Sequence, residues 1–332
     1  TQWKLGRTSM GVEFRNEGVK SNVLGKPMKE PQDVPFEKEG QYLKSDNRSN
    51  ISYFLEHNVL LRRFTLSVGV LANYNSALNE GIHFYPGIDA SYRIGDNFRL
   101  YGSWNRALRM PTFTDLYYEG KTNKGNPDLK PEESEAFEVG LKYNTYFLRA
   151  HIAGFYRKGK NMIDWVKEKP EDIWESRNLT KVDNLGFETN LSLLPRELGN
   201  ERFFIRKIEL GYAFIHQDKD SEGYISNYAL DYLKHKFTAQ LSHSIWKGFS
   251  ATWYVRWQDR AGSYTKYENL KPAYEEPYAP YCLVDMKVNW EYQRLNLYAE
   301  LNNLLNSTYY DLGNIPQPGI WFKAGFRYSF KY

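Results

Sequence analysis

The chain has 332 residues, with 44 Lys and Arg against 40 Asp and Glu and a net charge of +4. That charge is too small to attract nucleic acid, and a content of 41% hydrophobic residues excludes wholesale disorder. The mean hydropathy is −0.68, and no stretch approaches the roughly 18 consecutive apolar residues of a membrane helix. Helical membrane proteins are therefore excluded. Membrane β-barrels are not, because their alternating strands average to a polar sequence.

The chemistry of a catalytic or metal centre is missing from the sequence. The single cysteine, Cys282, excludes a disulfide framework and a thiolate cluster, and the six histidines lack metal-ligand spacing. Nucleotide-binding loops, nucleophile elbows and zinc-protease motifs are also missing. We therefore expect no enzymatic activity, no cofactor, no metal site and no nucleic-acid partner. The opening Thr1 is not a natural initiator, which indicates a mature or excised piece.

Apolar and polar residues alternate along the whole chain, with the period of a β-strand. One face of residues 249–258, for example, carries Phe249, Ala251, Trp253, Val255 and Trp257. No segment keeps a helical period, so the pattern predicts an all-β protein with essentially no helix. We predict about fourteen strands, at 3–15, 51–60, 63–75, 84–95, 97–107, 133–144, 147–165, 173–194, 203–217, 230–246, 248–262, 278–291, 294–304 and 319–331.

Short and long connections alternate between these strands. The short ones are the tight turns at 61–62, 95–97, 144–146, 246–248 and 291–294 and the slightly longer turn at 195–202. The long ones are polar, Gly- and Pro-bearing segments at 16–50, 76–83, 108–132, 166–172, 218–229, 263–277 and 305–318. An up-and-down transmembrane barrel has short turns at one end and long loops at the other. A soluble sandwich or propeller has no reason to sort its connections in this way.

The predicted faces of the strands fit a barrel in lipid. We expect girdle residues at the membrane–water interface, where one edge of an aromatic ring stays wet; the candidates are Trp104, Trp165, Trp246, Trp253, Trp257, Trp290 and Trp321. We expect the opposite, polar face to point into the lumen, with Glu138, Lys142, Arg256, Asp285, Lys287 and Glu300. The last strand alternates up to the terminal residue. Its aromatic end resembles the assembly signal of bacterial outer-membrane barrels, formed here by Phe326, Tyr328, Phe330 and Tyr332.

One loop carries a specific signature. It begins with Arg109, Pro111, Thr112, Phe113, Leu116 and Tyr117, and it continues with Gly125, Asn126, Pro127, Leu129, Lys130, Pro131 and Glu132. This pattern resembles the R-x-P-T-F-x-x-L-Y and G-N-P-x-L-K-P-E signature of TonB-dependent outer-membrane receptors. Because its prolines fix φ and cannot donate to a ladder, we interpret the motif as architectural. Arg109 could bind an anionic group, but its place in the motif favours packing.

The resemblance implies a longer protein than this chain. Receptors of this family have roughly 22 strands and an N-terminal plug domain. We therefore expect residues 1–332 to be the C-terminal part of a transmembrane antiparallel barrel, without the plug. In the family the plug receives the TonB signal, so contact with TonB would use the missing N-terminal part. A closed barrel of fourteen strands, working as a passive porin, is the alternative.

Four segments have sequences similar to those of cobalamin-receptor-like family members from the Bacteroidetes; they are residues 5–9, 54–58, 85–89 and 161–165. The resemblance implies TonB-dependent uptake of a scarce, bulky nutrient across the outer membrane of a Gram-negative bacterium. Cobalamin or a related corrinoid is the first candidate, and an iron siderophore is the second. Outer-membrane lipid and a surface lipoprotein are the further partners that we expect.

Aromatic side chains on loops give a bulky ligand wide contact at low entropic cost. Our candidate ligand-binding residues are Tyr117, Tyr118, Trp174, Tyr224, Tyr264, Tyr267, Tyr309 and Tyr310.

Overall fold

The computed structural model describes residues 1–78, 81–169, 171–199, 202–220, 223–226, 232–268, 271–313 and 315–330. Tyr332 of the predicted assembly signal lies outside them. Fourteen long strands form the main sheet: β1 (Gly6–Ser21), β2 (Gln41–Leu60), β3 (Phe64–Asn75), β4 (Ile82–Ile94), β5 (Phe98–Arg109), β6 (Glu132–Asn144), β7 (Leu148–Lys167), β8 (Trp174–Leu193), β9 (Ile205–Asp220), β10 (Leu233–Trp246), β11 (Phe249–Arg260), β12 (Tyr281–Tyr292), β13 (Leu295–Asn302) and β14 (Trp321–Tyr328).

Each long strand pairs antiparallel with the strand before it and the strand after it. β1 and β14 are the two edges of this sheet, and no pairing between described residues joins them. The prediction of an antiparallel up-and-down wall of about fourteen strands is therefore confirmed, and each predicted span overlaps one observed strand. The wall is open rather than closed.

The strand register gives the wall one apolar face. Val255 of β11 stands opposite Ala239 of β10 and Val284 of β12, and Ala239 in turn stands opposite Leu210 of β9. Neighbouring positions on each strand point the other way. All six charged residues predicted to face the lumen lie on that second face. This polar face is concave, because Lys142 of β6 and Asp285 of β12 line the same cavity of about 570 Å³.

Two of the seven predicted girdle tryptophans do not lie on the apolar face. Trp165 is buried, and the edge of its ring packs against Tyr118 with a centroid distance of 6.4 Å. Trp321 stands opposite Asn302, on the polar face. Both lie next to long loops: Tyr118, in the loop between β5 and β6, covers Trp165, whereas Trp321 is exposed on the polar face. The alternation within a strand does not reveal this cover.

The short connections all lie at one end of the wall, at 61–63, 95–97, 145–147, 194–204, 247–248 and 293–294; we call this the turn end, and the opposite end the loop end. The predicted loop at 16–50 is wrong in its extent. Residues up to Ser21 continue β1, Lys26–Asp33 adds a short strand, and Gln41 begins β2. Cross-strand polar pairs such as Asn16 with Asn47 hold this extension. Since both of its faces are polar, it shows no apolar alternation.

Most of the remaining elements lie at the loop end. The short strands are Gln2–Trp3, Asn123–Lys124, Ile225–Ser226, Ser263–Glu268, Lys271–Pro277, Tyr310–Leu312 and Ile315–Pro316, of which only Gln2–Trp3 belongs to the turn end. Ser263–Glu268 and Lys271–Pro277 pair as a hairpin within a segment predicted to be a loop. The helices are α1 (Phe113–Tyr117) and a 3₁₀ turn at Pro195–Leu198. Within the described residues, neither is long or apolar enough to cross a membrane.

The assignment of the two faces predicts opposite effects of the same substitution. Val255→Arg puts a charge on the apolar face near the middle of β11, and it should lower the free energy of unfolding by about 2–4 kcal/mol in lipid. Gln240→Arg puts the same charge on the polar face of β10, beside the cavity, and should change stability by less than about 1 kcal/mol. Urea unfolding in lipid vesicles measures both. Equal losses would contradict the assignment.

Candidate functional site

The first half of the loop signature forms a capped helical turn. Thr112 is the N-cap of α1, and its Oγ1 accepts a hydrogen bond from the Asp115 amide at 3.1 Å. The Asp115 carboxylate accepts in return from the Thr112 amide at 3.0 Å. This reciprocal pair satisfies two backbone donors that a helix start leaves unpaired. Pro111, immediately before the cap, fixes the approach of the chain.

Arg109 and Glu132 close the base of this loop. Arg109 Nε and Nη2 donate to the two carboxylate oxygens of Glu132, each at 2.5 Å. The Glu132 side chain is 8% exposed, and its Oε1 also accepts from the Ile163 amide at 2.8 Å. The pair joins the end of β5 to the start of β6 and to β7. Arg109 is therefore occupied by a carboxylate of its own chain.

Arg48 attaches the same loop to β1 and β2. Its Nη1 donates to the Pro111 carbonyl at 2.6 Å and its Nη2 lies 2.6 Å from Glu17 Oε2. The guanidinium also lies over the Phe113 ring, 4.9 Å from the centroid. We call Arg48, Arg109, Asp115, Tyr117 and Glu132 the rim clasp. Arg48 was missed from the sequence, because it lies in the segment predicted to be a loop.

Tyr117 completes the clasp. Its hydroxyl donates to Asp46 Oδ2 at 2.6 Å. Burial, together with this hydrogen bond to a carboxylate, raises the pKa of Tyr117 to about 12. The neutral phenol is therefore the form that the folded clasp favours.

The second half of the signature turns back beneath α1. The Gly125 amide donates to the Tyr118 carbonyl at 2.6 Å, and the Asn126 amide donates to the Asp115 carbonyl at 2.9 Å. A Cβ on Gly125 would lie 2.8 Å from the Tyr117 amide nitrogen, so this position requires glycine. Leu129 is buried. The Lys130 backbone exchanges two hydrogen bonds with the Asn178 side chain on β8.

A cavity of about 600 Å³ opens beside this second half. Gly125, Asn126 and Pro127 line one side, and Arg177 and Tyr224 line another. Arg177 Nη1 donates to the Tyr224 hydroxyl at 2.5 Å, while Glu175 accepts from the same guanidinium at 2.9 Å.

The predicted ligand residues Trp174 and Tyr224 both lie beside the end of β7. Lys167 Nζ lies 4.5 Å from the centroid of the Trp174 ring. Lys167 also pairs in register with Ile225, the residue after Tyr224. The two aromatic rings therefore flank one short stretch of β7.

A second aromatic group lies where β11 to β14 reach the loop end. We call Tyr264, Tyr278, Tyr281, Tyr309 and Tyr310 the tyrosine cluster. Tyr264 lies 5.1 Å from Tyr278 and 5.6 Å from Tyr310, and Tyr281 lies 4.6 Å from Tyr309, all between ring centroids. The cluster thus joins the Ser263–Pro277 hairpin to the loop between β13 and β14.

Charged groups are built into the tyrosine cluster. Lys266 Nζ lies 5.9 Å from the Tyr264 ring centroid, 5.7 Å from that of Tyr310 and 2.9 Å from Glu276 Oε2. Glu276 raises the pKa of Lys266 through this contact, and Lys266 with Tyr264 lowers the pKa of Glu276. At neutral pH the pair is ionised. The signal by which Lys266 could have been found is its position two residues after Tyr264, because alternate residues of a strand lie on the same face.

The eight predicted ligand residues thus fall into separate groups. Tyr117 and Tyr118 belong to the loop signature, Trp174 and Tyr224 flank β7, and Tyr264, Tyr309 and Tyr310 belong to the tyrosine cluster. Tyr267 is 54% exposed on the hairpin. No group of three or more His, Cys, Asp or Glu within the described residues could hold a metal ion. What the arrangement offers is wide aromatic contact with cations at its edge.

An antiparallel wall with one apolar face, one polar concave face and sorted connections defines an outer-membrane β-barrel. The chain belongs to the TonB dependent receptor-like β-barrel family, whose model matches residues 1–304. It is accordingly an outer-membrane protein of a Gram-negative bacterium.

Relatives include both vitamin and iron receptors. The chain is 26% identical over 225 residues to the vitamin B12 transporter BtuB of Vibrio vulnificus, covering 51% of this chain and 36% of that protein. It is 22% identical over 297 residues to the ferrienterobactin receptor of Escherichia coli, covering 81% of this chain and 38% of the receptor. The chain therefore spans little more than a third of the length of these relatives.

Solved structures share the fold. A ferric enterobactin receptor mutant from Pseudomonas aeruginosa, in complex with enterobactin, matches with a TM-score of 0.73 and 19% identity. The match covers 97% of this chain and 51% of that one. The FrpB iron transporter from Neisseria meningitidis matches with a TM-score of 0.71 and 14% identity, over 99% of this chain and 53% of that one. At these identities the likeness concerns the fold alone.

The clasp predicts a local effect of removing one charge. Glu132→Gln weakens the bond to Arg109 and should speed exchange of the Ile163 amide about tenfold, since the neutral amide leaves one of the two Arg109 donors without an acceptor. Glu133→Gln is the matched control, because Glu133 lies 3.7 Å from Arg106 and both side chains are partly exposed. Hydrogen–deuterium exchange measures both. Equal rates in the two variants would contradict the clasp.

The raised pKa of Tyr117 predicts that the free energy of unfolding depends on pH. Below about pH 10 the phenol is protonated in the folded and the unfolded chain, so its contribution to stability is fully present. As the pH rises from 10 towards 12, the unfolded chain loses the proton first, and this contribution is lost. Tyr117→Phe should therefore show a smaller loss of unfolding free energy between pH 8 and pH 11. An identical loss in both proteins, measured by urea unfolding, would contradict the assignment.

Proposed function

We propose that the chain forms the C-terminal fourteen strands of a larger TonB-dependent barrel that captures a scarce, bulky nutrient. Cobalamin or a related corrinoid is our first candidate. The observation that carries the proposal is the open wall of a family member: within the described residues β1 and β14 do not pair with each other, and the outer edge of β1 pairs only with the two residues Gln2–Trp3. An exposed edge of this length is a liability unless further strands cover it.

Support for a corrinoid comes from the relatives and from the loops. Two of the relatives, from Vibrio vulnificus and Photobacterium profundum, are vitamin B12 transporters. A macrocycle needs broad, rigid contact, and clustered tyrosines supply it with little loss of side-chain entropy. The tyrosine cluster and the Trp174–Tyr224 region are the surfaces that we assign to this contact.

A ferric siderophore is the second candidate, because a specific observation favours it. Lys266 lies near two tyrosine rings, and Arg177 lies 4.8 Å from the centroid of the Tyr224 ring. A cation beside an aromatic ring suits an anionic, aromatic chelate. The ferrienterobactin receptor also matches over a larger share of this chain than the vitamin B12 transporters do.

The porin alternative has less support. A closed fourteen-stranded barrel needs β1 to pair with β14, and the pairings between described residues do not include that contact. In our proposal the energy for import comes from TonB, through a part of the receptor outside residues 1–332. A surface lipoprotein remains a proposed partner.

Binding calorimetry on the purified receptor that contains this chain tests the proposal. Cyanocobalamin should bind with a nanomolar Kd, and ferric enterobactin should not. Tyr264→Ala with Tyr310→Ala should weaken binding at least tenfold, since hot spots are buried aromatic residues. Tyr146→Ala, at the turn end, is the control and should have no effect.

Binding of ferric enterobactin but not of cyanocobalamin would favour the siderophore as the ligand. Binding of neither ligand, by a folded receptor, would contradict both candidates. Ion conductance by residues 1–332 alone in planar bilayers would favour the porin.

A further inference from the structure

The turn end of the wall is strongly basic compared with the rest of the chain. The six turns of the turn end, with three strand residues on either side of each, contain 12 Lys and Arg and 4 Asp and Glu, a net charge of +8. The whole chain has 44 and 40, so 32 and 36 remain for the rest, a net charge of −4. The small overall charge therefore conceals a strongly basic end.

Four cations at the tips of the turns are exposed, and the described part of the chain gives them no ion pair. Arg62, Arg63, Lys247 and Arg294 are exposed, and none has a carboxylate of the described residues within 4.0 Å. At the loop end several cations do pair with carboxylates, as Arg48 does with Glu17 and Lys181 with Asp218. The turn end thus presents four positive charges that no carboxylate among the described residues neutralises by direct contact.

Aromatic rings near the turns indicate where these cations lie relative to the membrane–water interface. Pairs of rings lie beside the turns, with centroid distances of 4.5 Å for Phe98 and Tyr143 and 6.0 Å for Phe249 and Trp290. Trp290 stacks on Tyr292 at 5.9 Å, directly before the turn with Arg294. Aromatic belts of this kind lie at the membrane–water interface. Side chains one or two residues beyond the belt reach the phosphate layer of the lipid.

We propose that the turn end binds the anionic headgroups of phospholipids in the leaflet that surrounds it. Arg62, Arg63, Lys247 and Arg294 contribute the positive charges. They belong to three different turns, so they match a charged surface better than one small anion, which would need a converging pocket. Each cation near an anionic surface adds to the attraction. The proposal rests on the outer-membrane location and is independent of the nutrient ligand.

Lipid competition tests the proposal. The receptor that contains this chain is purified in detergent and mixed with equal amounts of phosphatidylglycerol and phosphatidylcholine, and native mass spectrometry measures the lipid retained. The wild-type protein should prefer phosphatidylglycerol. The turn-end variant combines Arg62→Gln, Arg63→Gln, Lys247→Gln and Arg294→Gln. Its preference for phosphatidylglycerol over phosphatidylcholine should be at least tenfold smaller than that of the wild-type protein.

The control removes four exposed cations from the loop end, with Lys29→Gln, Lys38→Gln, Lys121→Gln and Lys169→Gln, and it should keep the preference. Circular dichroism establishes that both variants retain their strands. Wild-type preference in the turn-end variant would overturn the proposal and would point to an acidic protein at this end. An equal loss in both variants, or displacement of the lipid by inorganic phosphate but not by chloride at equal ionic strength, would also overturn it.

Discussion

The fold depends on the constraint that lipid places on the backbone. No water in the hydrocarbon layer satisfies an N–H or C=O group, so each strand must pair with a neighbour on both sides. Pairing fixes the alternation of side chains, and the alternation separates the apolar face of Val255 from the polar face of Arg256. The same constraint explains why β1 and β14 matter, since within the described residues no long strand pairs with the outer edge of either one.

The sequence predicts most of the wall because apolar and polar side chains alternate in every membrane-facing strand. The prediction from alternation is wrong where a strand extends beyond the lipid. The extension of β1 and β2 beyond Asn16 is polar on both faces and therefore shows no apolar alternation. Arg48 lies in this extension, so the alternation does not identify it as a site residue. Trp165 was assigned to the girdle because sequence position does not show that Tyr118 covers it.

The candidate site is harder to predict because it is made between loops. The loop signature identifies Arg109 and Glu132, but it does not reveal that Arg48, 61 residues earlier, attaches the loop to β1 and β2. Single tyrosines give no sign of their partners. Tyr264 and Tyr310 meet only because Gly313 leaves room, since a Cβ there would lie 2.3 Å from Tyr264 Cβ. Contacts of this long range depend on tertiary structure.

The distance between the two edges of the wall tests the central claim, that this sheet is part of a larger barrel. Spin labels at Val12→Cys on β1 and Ala324→Cys on β14, with Cys282→Ser, can be placed in the receptor that contains this chain. Pulsed electron resonance should give a separation on the order of 30 Å, since several further strands at about 4.8 Å spacing lie between the edges. A separation expected for neighbouring strands, about 5 Å between backbones, would show that β1 and β14 close a barrel of fourteen strands.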